Sequence, residues 1–423
     1  MMKKATLWLL ALATALPLQA QSLSECQRMA EQNYPLVKRY DLVRHTTDLT
    51  IDNIDKGWLP QISASGQVTL QNATPKFPEA LDRMMSQTGT EMKGVSKTQY
   101  RVGVDVNQLV YDGGLIKSQK DVARAQSQVQ LASTDVELYG LRQRVNALYF
   151  GILLIDEKLK QNDEMQRVLR TNADILGKMV KGGTAAEADY NSVQAELLTT
   201  QQQRTDLEAQ RTSLIRVLSA FTGTDINKVT KPTEVLTTDS CARPELKFID
   251  AQLKLIDVQE QALDARLQPQ VSLFANTFVG YPGYNTFHDM TSRNMTFNAM
   301  VGARITWNIG ALYTRKNDKA MLATQRLMAE NDRDKFLFNN RLQTVQENED
   351  IDRYRSLMQE DDKIIALRHK VRMATESQLQ HGIVDVTKLV QQISNENNAA
   401  ILKALHETQM LQQMWDKKVT LSN

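Results

Sequence analysis

The sequence predicts a fold of the α+β class, mainly α, in which long helices and short strands are built twice. Three observations carry that prediction. Prolines are absent from residues 79–231 and from every position after Pro282, and those tracts are rich in Gln, Ala, Leu, Arg, Lys and Glu, all good helix formers. Landmarks of the first half recur in the second at fixed spacing. Four short segments read as strands, and three of them show a period-two alternation that sets apolar residues on one face.

Taken from its start, the chain opens with Met1-Met2-Lys3-Lys4, an apolar run from Ala5 to Leu16, and Leu18-Gln19-Ala20. This is the pattern of a secretory signal peptide over residues 1–20, too short for a spanning helix. Glu25 is the wrong neighbour for a lipidated cysteine at Cys26. Without Lys3 and Lys4 the formal net charge falls from +2 to 0. Nucleic acid, which demands a basic face, is therefore not an expected partner. The mean hydropathy is −0.41 and no later apolar run is long. A membrane crossing must then use a closed barrel of strands. The two cysteines, Cys26 and Cys241, each precede the first helix of a half. Export permits a disulfide between them, with two separate buried thiols as the alternative.

The duplication is read from offsets. Pro35 and Pro60 match Pro244 and Pro269 at 209 residues, whereas Val102-Gly103, Gln126 and Gly183 match Val301-Gly302, Gln325 and Gly382 at 199. The length change falls between residues 61 and 101, in a longer first loop. A period of that size is a domain-scale duplication rather than a solenoid repeat. The first repeat, residues 21–221, predicts an amphipathic helix over 22–57, strands at 60–70 and 100–111, a very long helix over 114–180 and a return helix over 184–221. Residues 222–243, with Gly223 and Pro232, form a linker. The second repeat, residues 244–423, predicts a helix over 244–267, strands at 269–279 and 297–307, a long helix over 311–380 and a return helix to about 418.

Apolar positions on the long helix recur every seven residues: Val122, Val129 and Val136; Leu138, Val145, Ile152 and Leu159; Leu141, Leu148 and Ile155. Heptad rows imply side-by-side, coiled-coil packing. Such a helix extends on the order of 100 Å at 1.5 Å per residue. In the strands, Ile62, Ala64, Gly66, Val68 and Leu70 alternate with polar neighbours, as do Tyr100, Val102, Val104 and Val106, and Phe297, Ala299, Val301, Ala303, Ile305 and Trp307. A length of about ten residues suits a tilted strand crossing a bilayer. Tyr100, Tyr111, Phe278, Tyr281, Tyr284 and Trp307 suit interfacial girdles. Four strands fall short of the roughly eight that close a barrel. Three chains in a cyclic trimer supply twelve.

With Leu109-Val110-Tyr111-Asp112-Gly113-Gly114 at a strand-to-helix turn, and with Asn33-Tyr34-Pro35-Leu36 and Arg243-Pro244-Glu245-Leu246 opening the two halves, the chain resembles the TolC-like outer-membrane efflux proteins over essentially its whole mature length. The resemblance implies a homotrimer with a twelve-stranded transmembrane barrel among outer-membrane lipid, continued by a twelve-helix α-barrel in the periplasm. It implies docking onto a periplasmic adaptor (membrane fusion) protein that serves an inner-membrane RND or ABC transporter. The barrel-to-helix turns are Tyr111, Asp112, Gly113 and Gly114, and, in degraded form, Trp307 to Gly310. The docking tips are Gly182, Gly183 and Thr184, and His381, Gly382 and Ile383, where glycine permits a sharp reversal. A periplasmic gate falls at Glu187 and Asp189, but the second half presents Lys388 and Gln391 where the family often has acids, and Leu379 where a latching Tyr can stand. An acidic gate of that kind is thus not expected intact.

No enzyme signature competes. The five histidines show no ligand spacing, no phosphate-binding loop occurs, and neither metal nor cofactor is expected. The rivals are a periplasmic structural or adaptor coiled coil without a pore, and a surface adhesin.

Overall fold

The computed structural model describes residues 21–87, 89, 94–235 and 241–421, so the expected signal peptide lies outside the described residues. The chain divides into two compact units, and each draws on both sequence halves. One comprises Met1–Tyr40, Ala132–Lys247 and Arg333–Asn423; the other comprises Asp41–Leu131 and Phe248–Asp332.

The first unit is helical. Its opening helix, α1 (Leu23–Asn33), starts in a capping box, with Ser22 accepting from the Glu25 N–H and the Glu25 carboxylate accepting from Ser22 N–H. A single helix over 22–57 was the expectation. Instead, α1 ends at Tyr34, and a short 3-10 turn at Pro35–Val37 precedes α2 (Lys38–Asp55). The reason is Pro35, whose ring forces Tyr34 into an extended conformation (φ −65°, ψ 133°). The long first-half helix is likewise two helices, α4 (Leu115–Tyr139) and α5 (Leu141–Lys181). Gly140 interrupts them with helical dihedrals, and its N–H still reaches Val136 O at 3.2 Å. The return helix is α6 (Glu187–Thr222). The second-half helices are α7 (Pro244–Ala265), an unbroken α9 (Ala311–Gln380) and α10 (Val386–Leu421).

The heptad rows explain what is buried. Val145 and Ile152 are fully buried, and Leu138, Leu141 and Ile155 nearly so. Tyr149 and Phe150 join them against Leu23, Cys26 and Ala30 of α1, Leu218 of α6, and Leu411 and Trp415 of α10. Burial of a large apolar side chain contributes roughly 1.5–3 kcal/mol, so this cluster is a substantial stabilising feature of the unit. The expected linker takes part in it. Ile226 and Val229 are core residues, and the Tyr149 hydroxyl donates to Thr230 O (2.6 Å) or Gln21 O (2.8 Å) and accepts from Thr230 N–H (3.0 Å).

Cys26 and Cys241 are free thiols, so of the two alternatives the structure has separate cysteines and no bridge. Cys26 faces the α1 core, and burial pushes its thiol up to about 12. Cys241 stands beside Ala242, whose N–H is held by Leu421 O at 3.1 Å.

The second unit contains one antiparallel sheet in the order β1-β2-β3-β4. Its strands are β1 (Gln61–Leu70), β2 (Thr98–Tyr111), β3 (Gln270–Tyr281) and β4 (Thr296–Thr306). The β1–β2 connection carries α3 (Glu79–Gln87), and the shorter β3–β4 connection carries α8 (Thr286–Thr291).

Candidate functional site

Register turns the alternation of single strands into two chemically distinct faces. On one face Ala64, Val104 and Thr277 pair in sequence with Ala299, and Gly66, Val102 and Val279 with Phe297. Ile62, Val106, Ala275 and Val301 make the next row. This face is exposed although apolar, with Val68 at 77%, Leu70 at 82% and Val301 at 80%. The opposite face carries Gln67, Arg101 and Gly280 in one row, and Ser63, Asp105, Asn276 and Met300 in another. Its groups answer one another. The Arg101 guanidinium donates twice to Gln67 Oε1 (3.1 and 2.8 Å), and the Asn276 amide donates to Asp105.

Two phenylalanines on this polar face are paired with glycines. Phe274 pairs with Gly302, and Phe278 with Gly103. A Cβ on Gly302 would stand 2.8 Å from the Phe274 ring, and one on Gly103 would stand 2.7 Å from Phe278 Cβ. Gly302 thus lets the Phe274 ring lie against the sheet, and Gly103 leaves room for the close approach of the Phe278 Cβ. Both strands at the sheet margin, β1 and β4, keep an unpaired edge.

The turn after β2 is built by Asp112. Its carboxylate accepts from Gly114 N–H (2.9 Å) and Ile116 N–H (2.6 Å), while Gly113 and Gly114 take φ of +68° and +86°. Left-handed backbone of this kind favours glycine. At Gly113 any side chain would also meet Gln268, 2.3 Å from a Cβ. Tyr111 is half-exposed at the end of β2. The second-half turn differs as its sequence does. Trp307 donates from Nε1 to Leu267 O at 2.9 Å, and Gly310 is not among the positive-φ glycines.

The two helix reversals share one backbone device. After α5, Thr184 N–H reaches Met179 O (2.8 Å) and Gly183 N–H reaches Val180 O (3.0 Å); after α9, Ile383 N–H reaches Gln378 O (2.9 Å) and Gly382 N–H reaches Leu379 O (3.0 Å). Gly183 and Gly382 have φ of +71° and +67°. Both are Schellman motifs, in which the left-handed residue lets two N–H groups satisfy the last helical carbonyls. Gly182 is the residue before, in helical conformation. The His381 ring lies 2.8 Å from Ser377 O.

One apolar cluster joins the reversals, with Leu176 of α5, Val193 of α6, and Val386 and Leu389 of α10. Leu379 packs against it, so this position is occupied by a core side chain rather than a polar latch. Glu187 and Asp189 lie in the first turn of α6, where a carboxylate favours the helix dipole. Lys388 and Gln391 are exposed on α10, and no ion pair joins Asp189 to Lys388 among the described residues. Sequence reading missed Asp385. Its carboxylate accepts from Lys388 N–H at 2.9 Å and caps α10, a signal legible as an Asp three residues before the end of the first turn.

The opening motifs are also explained. Asn33 donates to Ala220 O and Phe221 O at 3.3 and 3.2 Å, closing the end of α6, and Tyr34 stacks on Phe221. Arg243 pairs with Glu245, and its guanidinium stands over Tyr139.

Among the described residues no helix is long and apolar enough to cross a membrane. Residues 28–224, just under half of the chain, match the family model described as outer membrane efflux protein. No curated protein matches. Among solved structures, the outer membrane protein VceC from Vibrio cholerae is 10% identical with a TM-score of 0.64, covering 95% of this chain and 96% of its own. The Campylobacter jejuni CmeC outer membrane channel is 12% identical with a TM-score of 0.63, over 94% and 85%. The Neisseria gonorrhoeae MtrE outer membrane channel, in its open state, is 12% identical with a TM-score of 0.64, over 95% and 89%. Identities this low show a shared fold. Together with the family match, they bear out the resemblance to the TolC-like outer-membrane efflux proteins.

Proposed function

We propose that this chain, a TolC-like protein by family match and fold, is an outer-membrane efflux channel: the passive exit duct of a tripartite efflux or type I secretion system. Its strands lie in the bacterial outer membrane and its helices in the periplasm. The observation that carries the reading is the sheet, with one exposed and largely apolar face, a polar opposite face and two unpaired edges. In hydrocarbon, unpaired backbone groups cost several kcal/mol each, so such a sheet needs closure. A homotrimer supplies it by joining β4 of one copy to β1 of the next, giving a twelve-stranded barrel with the polar face inside.

A soluble coiled-coil spacer has no use for Val68, Leu70, Phe297 and Ile305 exposed on one sheet face. The ancestral duplication accounts for the recurrence of helix, strand, strand, helix and helix in both halves. The reversals at Gly183 and Gly382 are the docking tips for a periplasmic adaptor, which couples the duct to an inner-membrane RND or ABC transporter. Glu187, Asp189, Lys388 and Gln391 line its periplasmic entrance, where opposite charges replace an all-acidic ring. Conduction needs no chemistry, so the protein acts as a transporter and not as an enzyme.

The test is fractionation followed by planar-bilayer recording of the purified protein. A trimer from outer membranes that conducts ions is the expected result. A water-soluble mature chain that forms no conductance, even with Asp189 and Lys388 neutralised, would sink the reading.

A further inference from the structure

The polar face of the sheet holds a recess of about 680 Å³ beneath the start of the β3–β4 connection. Phe274, Phe278 and Tyr284 form part of its wall, among polar neighbours. Phe274 lies over Gly302, and the Arg304 guanidinium stands 4.9 Å from the centre of the Phe274 ring. Phe278 is met edge-on by Tyr284, with ring centres 5.2 Å apart and planes at 85°. Tyr284 is held in place twice. Its N–H donates to Asn298 Oδ1 (2.7 Å), and its hydroxyl donates to Asn276 Oδ1 (2.9 Å). The connection thereby folds back onto the sheet and roofs the recess.

Three charged side chains line it: Arg101, Asp105 and Arg304. Asp105 is met by the Asn276 amide, and Arg101 by Gln67. Arg304 is exposed and has no carboxylate partner among the described residues. The uncompensated charge in the recess is therefore positive and stands over an aromatic ring. A guanidinium so placed is pre-oriented, with its N–H edge free for a carboxylate or sulfonate and its outer face free for stacking.

We infer that this recess is a binding site for a planar aromatic anion, with the acid group on Arg304 and the ring against the Phe274–Phe278 wall. Arg101 adds attraction, and Asp105 limits affinity by repulsion. The inference deepens the proposed function, on which it rests for one point alone: that this face lines a conduit and so meets the solutes passing through it.

The probe is 2-naphthalenesulfonate, titrated calorimetrically into the purified full-length protein in detergent. Saturable binding is expected, weakened about tenfold in Arg304→Gln, the scale of one charge-assisted hydrogen bond. It is weakened less in Arg304→Lys, which keeps the charge and loses the planar fork of N–H groups. A naphthylmethylammonium ion of the same ring size should not compete. No saturable binding in the wild type, equal binding in Arg304→Gln, or equal competition by the cation would each overturn the inference. Planar-bilayer conductance of the same samples is scored separately. Conductance without probe binding removes the site and keeps the channel; probe binding without conductance keeps the site and removes the channel.

Discussion

The long helices of the two halves follow the same pattern yet meet different surroundings. Leu138 and Tyr139, at the end of α4, match Leu337 and Phe338 of α9 at the offset of 199. The first pair is buried, and Tyr139 donates its hydroxyl to Val419 O at 2.8 Å. The second pair is exposed, Phe338 at 62%. Helix α10 explains much of the difference. It packs against the α5 core through Leu411 and Trp415, whereas it meets α9 through a smaller cluster of Ile351, Met410 and Met414, the Arg372–Glu396 ion pair and a His406–Asp361 hydrogen bond. Duplicated sequence therefore does not mean duplicated burial. The bare rows of α9, including Phe338, Leu342 and Val345, are apolar surface that the proposed trimer covers.

The largest expected effect breaks the comparison at its core. Phe150→Ala should cost about 3–5 kcal/mol in denaturant unfolding, as for other large-to-small changes at fully buried sites. Phe338→Asp should leave the secondary structure of the chain intact while shifting sedimentation from trimer towards monomer. If both variants unfold alike, the assignment of α9 to an intersubunit surface is wrong.

A smaller effect tests where the halves agree. Gly183→Ala and Gly382→Ala each force a Cβ into left-handed backbone, with nothing within 4 Å of it to clash. Each should cost about 1 kcal/mol by thermal unfolding. Clearly unequal costs would show that the two reversals are not equivalent.

Next is the buried carboxyl on α9. Glu347 Oε1 accepts from the Thr420 hydroxyl (2.7 Å) and Gln343 (3.0 Å), while Oε2 has no partner among the described residues. Burial raises its carboxyl above the ordinary range, and burial raises Asp416 likewise. A carboxyl raised on folding contributes stability that is present below its unfolded value and is lost as pH rises through the folded value. Glu347→Gln should therefore gain roughly 1 kcal/mol at pH 8, with the gain shrinking to nothing below about pH 4. A gain that persists unchanged in acid would refute the ionisation account.

The smallest effect concerns the gate. Lys388→Asp restores the first-half charge at an exposed site and should change stability by less than about 0.5 kcal/mol. It should nevertheless raise the cation preference of the conductance, read as a shift in reversal potential. No shift would remove Lys388 from the entrance.

Much of this was legible in the residues. The alternating segments announced strands because side-chain direction has a period of two. The tip glycines and the Asp112-Gly113-Gly114 turn were legible because positive φ and Asx capping restrict residue type locally. Helix continuity breaks at Pro35 and Gly140, where a local breaker outweighs a long periodic pattern. The linker was read as punctuation, yet Ile226, Val229 and the Tyr149 hydrogen bonds make it part of the core. No local pattern reveals that a loop covers a distant helix.

What the sequence determined by itself was therefore the local alphabet of the protein: helix, strand, reversal, and their order twice over. Only tertiary structure decided that Phe274 lies on Gly302 under Arg304, that Cys26 is a core thiol and not half of a disulfide, and that Tyr139 is covered while Phe338 is bare. Backbone preference acts within a few residues, and sequence displays it. Register and burial are set by partners tens to hundreds of positions away, as Phe274–Gly302 and Tyr139–Val419 illustrate, and only the folded chain brings those together.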